Sequence, residues 1–140
     1  MRNWKPAISM RLIDSSAWVE FLRRRGDPNV KSLVARLLQA DHAAYTCPIR
    51  FELLSGVKPD EEDDLEQAFA LSRHVVFEPS DWRDAALLER QLRARGLTIP
   101  RNDLFVATVA IRTGLPVVCR DTHFDAARKC AGDKLQVEQV

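Results

Sequence analysis

Short apolar runs alternate with amphipathic stretches along the chain. Residues 10–13 (MRLI) predict a first strand. From about Ser16, the spacing of Trp18, Val19, Phe21 and Leu22 predicts a short helix, with Gly26, Asp27 and Pro28 punctuating after it. Val30, Leu33, Val34, Leu37 and Leu38 form an i, i+3, i+4, i+7, i+8 stripe and predict a second helix. Residues 43–46 predict a brief strand. Pro48 then opens a helix through Ile49, Phe51, Leu53 and Leu54, closed by Gly56. The run 59-PDEEDDLEQAFALSR-73 starts acidic and turns apolar, as a solvated helix start does, because acids complement the positive helix end. Residues 74–77 predict a strand. Ser80 is the expected N-cap of a long helix with Trp82, Ala85, Leu88 and Leu92 as its apolar face and Gly96 at its end. Asn102 is the expected cap of a helix carrying Leu104, Phe105, Ala107, Thr108 and Ile111, stopped by Gly114 and Pro116. Residues 117–119 predict a strand, a short helix follows from about Thr122, and residues 134–137 predict a terminal strand.

This alternation argues for an α/β fold with a mainly parallel sheet between helical layers. A length of 140 residues favours one domain. Residues 1–9 are expected to be a tail and residues 10–140 the domain; a start at Met10 would remove little of the fold. No internal repeat or low-complexity linker interrupts the pattern.

Composition narrows the function classes. Hydrophobic residues make up 46% and charged residues 29%, which supports a packed core and excludes a disordered chain. With 21 basic and 20 acidic residues the net charge is +1, so any nucleic-acid contact must be a local patch. Cys47, Cys119 and Cys130 form no C-x-x-C pair and are odd in number, which suits a reducing cytoplasm better than a disulfide framework. His42, His74 and His123 are too scattered to suggest a zinc site. No apolar run is long enough to span a membrane, and no G-x-G-x-x-G follows the first strand.

Two strands run straight into an acid. Leu12 and Ile13 lead to Asp14; 116-PVVCRDTHFD-125 leads to Asp121. In parallel sheets, ligands bind beyond the carboxyl ends of the strands, where both acids fall. Asp103 sits in a helix first turn, and Glu52 interrupts the apolar run at 49–54. Four carboxylates in one cleft repel each other, and a hard divalent cation relieves that repulsion. The chemistry suggested is metal-dependent hydrolysis of a phosphodiester. Each acid also has an ordinary role open to it. Asp14 and Asp121 could cap the helices that follow, Asp103 could be a plain helix-start acid, and Glu52 could pair with Arg50.

The segments 11-RLIDSSAWVEFL-22, 46-TCPIRFELLSG-56 and 96-GLTIPRNDLFVATVAIRTGLPVVCRDTHFD-125 resemble, in this order, the PIN-domain ribonucleases, and more narrowly the VapC-type toxins of toxin–antitoxin pairs. The resemblance implies an α/β/α sandwich whose pocket of acids binds Mg²⁺ or Mn²⁺. It puts the catalytic and metal-binding acids on Asp14, Glu52, Asp103 and Asp121. Asp125 is implied as an outer or occasional ligand contact, and Ser15 and Ser16 as hydroxyls that orient Asp14 or a metal-bound water. It also implies a cytoplasmic protein, a homodimer, a cognate antitoxin, and an RNA substrate that is structured or looped, with transfer and ribosomal RNA as candidates. Arg101, Arg112, Arg120 and Arg128 flank the acids and are candidate phosphate contacts, with ordinary surface bases as the alternative. One position departs from the family: Cys119 stands where a Thr is frequent, which puts a supporting hydrogen bond in question.

Two rival readings remain. The chain could be a catalytically silent binding module whose acid cluster docks an arginine, with an antitoxin helix in a groove near Trp18 and Phe21. Both residues are read first as core. A phosphatase or receiver domain fits less well, since Ser16 stands where the phosphatase needs a second Asp and Arg120 where the receiver needs a Lys.

Overall fold

The computed structural model describes residues 10–140, and the expected tail at 1–9 lies outside the described residues. Five strands form one all-parallel sheet: β1 (Arg11–Ile13), β2 (Ala43–Thr46), β3 (Arg73–Val75), β4 (Val117–Cys119) and β5 (Val137–Gln139). Seven helices flank it: α1 (Ser15–Leu22), α2 (Pro28–Gln39), α3 (Cys47–Gly56), α4 (Glu62–Ala70), α5 (Pro79–Ala94), α6 (Arg101–Thr113) and α7 (His123–Ala131). This is the expected α/β/α sandwich.

The strand order is β3-β2-β1-β4-β5. The chain winds outward from β1 in both directions, so the order reverses between β1 and β4. A crevice opens at such a switch point, beyond the carboxyl ends of the strands. Register fixes what lies there. Leu12 pairs with Val117 and Ile13 with Val118, and the Asp14 N–H donates to the Val118 carbonyl at 2.9 Å. The residues just past β1 and β4 are thereby neighbours. Leu12, Ile13, Val117, Val118 and Cys119 are fully buried, and near-continuous apolar strands are what a sheet covered on both faces requires.

Local chemistry sets the helix ends. Asp27 caps α2 through the N–H groups of Asn29 and Val30, with Pro28 as the first helical residue. Gly114 ends α6 at φ 74°, a left-handed conformation that glycine adopts without steric cost. Glu62, Asp63 and Asp64 occupy the first turn of α4, as the acidic run suggests.

Five expectations are corrected: two helix caps, two strand bounds and the place of Trp82. Helix α5 starts at Pro79 and is closed by Asp81 accepting from the Glu78 N–H at 2.7 Å, so Ser80 lies inside it and is no cap. Helix α6 starts one residue before Asn102, with Pro100 at the cap position. Strand β3 begins one residue earlier than expected and ends at Val75; β5 begins three residues later, after a 3₁₀ turn at Gly132–Lys134. Trp82 leaves the core: it is 60% exposed and meets Phe77 and Phe105 edge-on, while Ala85, Leu88 and Leu92 carry the buried face of α5. Trp18 is wholly buried against Phe21 and Phe69, which removes it from any docking groove.

Candidate active site

The site forms where β1 and β4 end and where α1, α6 and α7 begin, with the middle of α3 beside them. Asp14 leaves β1 extended and caps α1: its Oδ2 accepts from the Ser16 N–H at 3.2 Å and the Ser16 hydroxyl at 2.7 Å. The helix-cap role is therefore real, yet it uses only one oxygen. Oδ1 is buried and has no hydrogen-bond partner. A buried carboxylate oxygen left unpaired is costly, and a cation is one partner that would satisfy it. Burial raises the Asp14 carboxyl to about 7, and the Asp103 and Asp121 charges push the same way against the Ser16 hydrogen bonds.

Asp103 lies in the first turn of α6 and is also buried. Burial first, then the Asp121 charge, raises it to about 6, opposed by a hydrogen bond from His123. His123 Nδ1 sits 2.6 Å from Asp103 Oδ2 and 3.6 Å from Asp121 Oδ1. One ligand atom each from Asp103, Asp121 and His123 lies within 4.8 Å of the other two. Asp121 Oδ1 accepts from the His123 N–H at 3.0 Å, but Thr122 holds the cap position of α7, so Asp121 braces the approach to the helix and is not its N-cap.

Glu52 stands beside this group and is exposed on α3, where its apolar neighbours suggested burial. It does not pair with Arg50, whose guanidinium lies 3.3 Å from Glu66 instead. The Ser15 hydroxyl donates to Glu52 Oε1 at 2.6 Å, and the Glu52 charge helps raise Asp103. Asp125 is exposed in the first turn of α7. Cys119 keeps part of the support in question: its thiol donates weakly to the Asp121 carbonyl at 3.7 Å, and the Gln139 side-chain amide donates to the same carbonyl at 2.7 Å. Burial and the surrounding acids push the Cys119 thiol up to about 12, so it is a neutral donor there.

A cleft of about 670 Å³ opens over these groups. Ser15, Ser16, Glu52, Asp103, Asp121 and His123 line it, with Val19, Leu22, Leu53 and Val57 as apolar wall and Arg23, Lys58 and Arg120 as bases. Of the four candidate phosphate contacts, only Arg120 lines this cleft, and its guanidinium is 3.0 Å from Asp27. Arg101 pairs with Glu89 beside a separate hollow, and Arg128 is exposed on α7. Arg112 is committed elsewhere: it holds Asp81 at 2.8 and 3.0 Å and the Val76 carbonyl at 2.9 Å. Sequence reasoning missed His123 and Gln139. The Asp-x-His spacing at the start of α7 was the available signal for the first; nothing local marked the second.

The model of the PIN domain family matches residues 11–129. The chain belongs to the PIN-domain family. Ribonuclease VapC11 of Mycobacterium tuberculosis is 38% identical over 122 residues, 83% of this chain and 90% of that relative. Among solved structures, VapBC2 from Rickettsia felis, bound to a DNA fragment from their promoter, superposes with a TM-score of 0.75 at 17% identity, covering 94% of this chain and 98% of that one. VapBC-5 from M. tuberculosis, of the VapBC family of toxin-antitoxin systems, gives 0.64 at 21%, covering 94% and 99%. The two structural likenesses carry the PIN fold alone. Among the described residues, no helix is long and apolar enough to cross a membrane.

Proposed function

We propose that residues 10–140 form a divalent-metal-dependent endoribonuclease, the toxin of a cytoplasmic toxin–antitoxin pair. Its substrate is RNA in a single-stranded or looped region, its partners are a cognate antitoxin and a second copy of itself, and its metal is Mg²⁺ or Mn²⁺. The observation that carries this reading is the grouping of Asp103 and Asp121 close enough for their charges to act on Asp14, whose buried Oδ1 no protein group satisfies, with the Glu52 charge acting on Asp103. Similarity to a curated ribonuclease over most of the chain supports the same reaction.

Asp14, Asp103, Asp121 and Glu52 would hold the ion. When bound, it supplies charge neutralisation at a phosphodiester and makes an adjacent water more acidic. The chain's own groups do the positioning. Ser16 fixes Asp14 Oδ2 and leaves Oδ1 without a protein partner, while its Oγ accepts the Arg120 N–H at 3.0 Å and so ties the ends of β1 and β4 together. Ser15 holds Glu52 in place from the neighbouring helix. Arg120, at the cleft, can exchange its exposed Asp27 partner for a backbone phosphate at small cost, since surface ion pairs are weak.

The test is cleavage of a total-RNA pool by wild type and Asp14→Asn with Mn²⁺, Mg²⁺ or EDTA. Fragments from wild type alone, abolished by EDTA, are the expected result. Equal cleavage by both proteins, or none under any condition, would defeat the reading and leave a binding module.

A further inference from the structure

We infer that His123 is itself a donor to the bound ion, giving a mixed nitrogen and oxygen site that favours Mn²⁺ over Mg²⁺. The inference rests on the metal-dependent reading above. His123 opens α7, and its imidazole lies between two carboxylates supplied by different elements: Nδ1 is 2.6 Å from Asp103 Oδ2 and 3.6 Å from Asp121 Oδ1. A cation that replaced the hydrogen shared with Asp103 would meet donors from all three residues, which already stand within 4.8 Å of one another. A separate observation concerns the neighbouring acid. Asp14 is 1% exposed, feels the charges of Asp103 and Asp121, and keeps a buried Oδ1 without a partner. Access is open, because the His123 side chain is 45% exposed and lines the cleft.

The donor set decides the ion. Mg²⁺ is hard, prefers oxygen and keeps near-ideal octahedral geometry with several waters. Imidazole suits softer transition ions, and Mn²⁺ accepts both carboxylate and nitrogen. Exchanging one oxygen donor for an imidazole therefore costs Mg²⁺ more than Mn²⁺. The divalent affinity order adds that Co²⁺ should bind more tightly still.

The experiment uses the full chain without RNA. Pulsed electron paramagnetic resonance of the Mn²⁺-loaded wild type should show a nitrogen coupling that changes on ¹⁵N-histidine labelling. The coupling should persist in His42→Ala and His74→Ala and vanish in His123→Ala. Titration should show His123→Ala weakening Mn²⁺ by roughly tenfold or more, the size expected for losing a metal-site group, with Mg²⁺ changed less. His123→Asp should recover Mg²⁺ binding and reverse the preference. Mn²⁺ binding without nitrogen coupling in wild type, or equal loss of both ions in His123→Ala, would overturn the inference and leave His123 as a brace for Asp103. Failure of wild type to bind either ion would overturn the metal-dependent reading as well.

Discussion

Asp81 and Asp14 are equally shut off from solvent, at 0% and 1% exposure, but the chain treats them in opposite ways. Asp81 receives Arg112 through both oxygens and the Glu78 N–H as well, so its charge is met on every side by α6 and by its own helix start. The pairing in turn holds the Arg112 guanidinium above its ordinary value. Asp14 receives only Ser16, on one oxygen, and burial raises its carboxyl to about 7. The first aspartate is a joint between α5 and α6. On the proposed reading, the second is the place that a cation would complete. Burial alone does not separate the two aspartates; the count of satisfied oxygens does.

The largest effect that tests this contrast is on cleavage. Asp14→Asn should lower metal-dependent RNA cleavage by at least about a hundredfold, on the scale of losing several kcal/mol of charge stabilisation, while leaving the far-ultraviolet circular dichroism spectrum intact. Retained cleavage would make Asp14 an ordinary cap. Arg112→Ala should do the reverse. It strands Asp81 as a buried charge and should cost about 3–5 kcal/mol of stability, read by urea denaturation, with cleavage per folded molecule kept. An Arg112→Ala protein as stable as wild type would show that the Asp81 joint carries nothing.

Next in size is the pH dependence of the metal-free protein. The folded Asp14 carboxyl titrates near 7, above the ordinary 3.8. A raised acid favours the folded state while protonated. Its contribution is complete below about pH 4 and is lost as pH rises through 7. Relative to Asp14→Asn, metal-free wild type should therefore lose stability between pH 4 and 7, by on the order of a few kcal/mol. Thermal melts of both proteins across that range check it. At pH 8, Mn²⁺ should raise the Tm of wild type by linkage and barely move Asp14→Asn. Parallel melts for the two proteins would mean that Asp14 is not the strained carboxylate.

The Asp14 side of this contrast was legible in the sequence, for a physical reason. Parallel strands buried on both faces must be apolar, so an acid one residue after Ile13 or two after Cys119 marks the strand end and the crevice beside it. Asp14 and Asp121 could be found that way, and Asp103 by its helix-start position. What could not be read was pairing across the fold. Nothing local says that Arg112 meets Asp81, 31 positions away, so it resembled a phosphate contact as closely as Arg120 did. Ser80 and Asn102 have good capping chemistry, but Asp81 closing on Glu78 and the proline at position 100 fixed the helix starts instead. Trp82 has helical spacing with Leu88 and Leu92, yet α6 offers Phe105 at the surface, and the three rings of Phe77, Trp82 and Phe105 pack there.

The smallest expected effect concerns Cys119. A threonine at this position would give the Asp121 carbonyl a hydroxyl donor, and the Cys119 thiol is 3.7 Å from that carbonyl. Were that bond the only brace, Cys119→Thr should improve the site clearly. But Gln139 already reaches the same carbonyl at 2.7 Å from β5, and a carbonyl oxygen has two lone pairs to share between them. Cys119→Thr alone should therefore change cleavage by no more than about twofold, a few tenths of a kcal/mol. Gln139→Ala should cost more, and Cys119→Thr should win back part of that loss in the double variant, because groups serving one acceptor are not additive. Strict additivity across the four proteins, measured as Mn²⁺-dependent cleavage, would mean that the two side chains do not share the Asp121 carbonyl as a common brace.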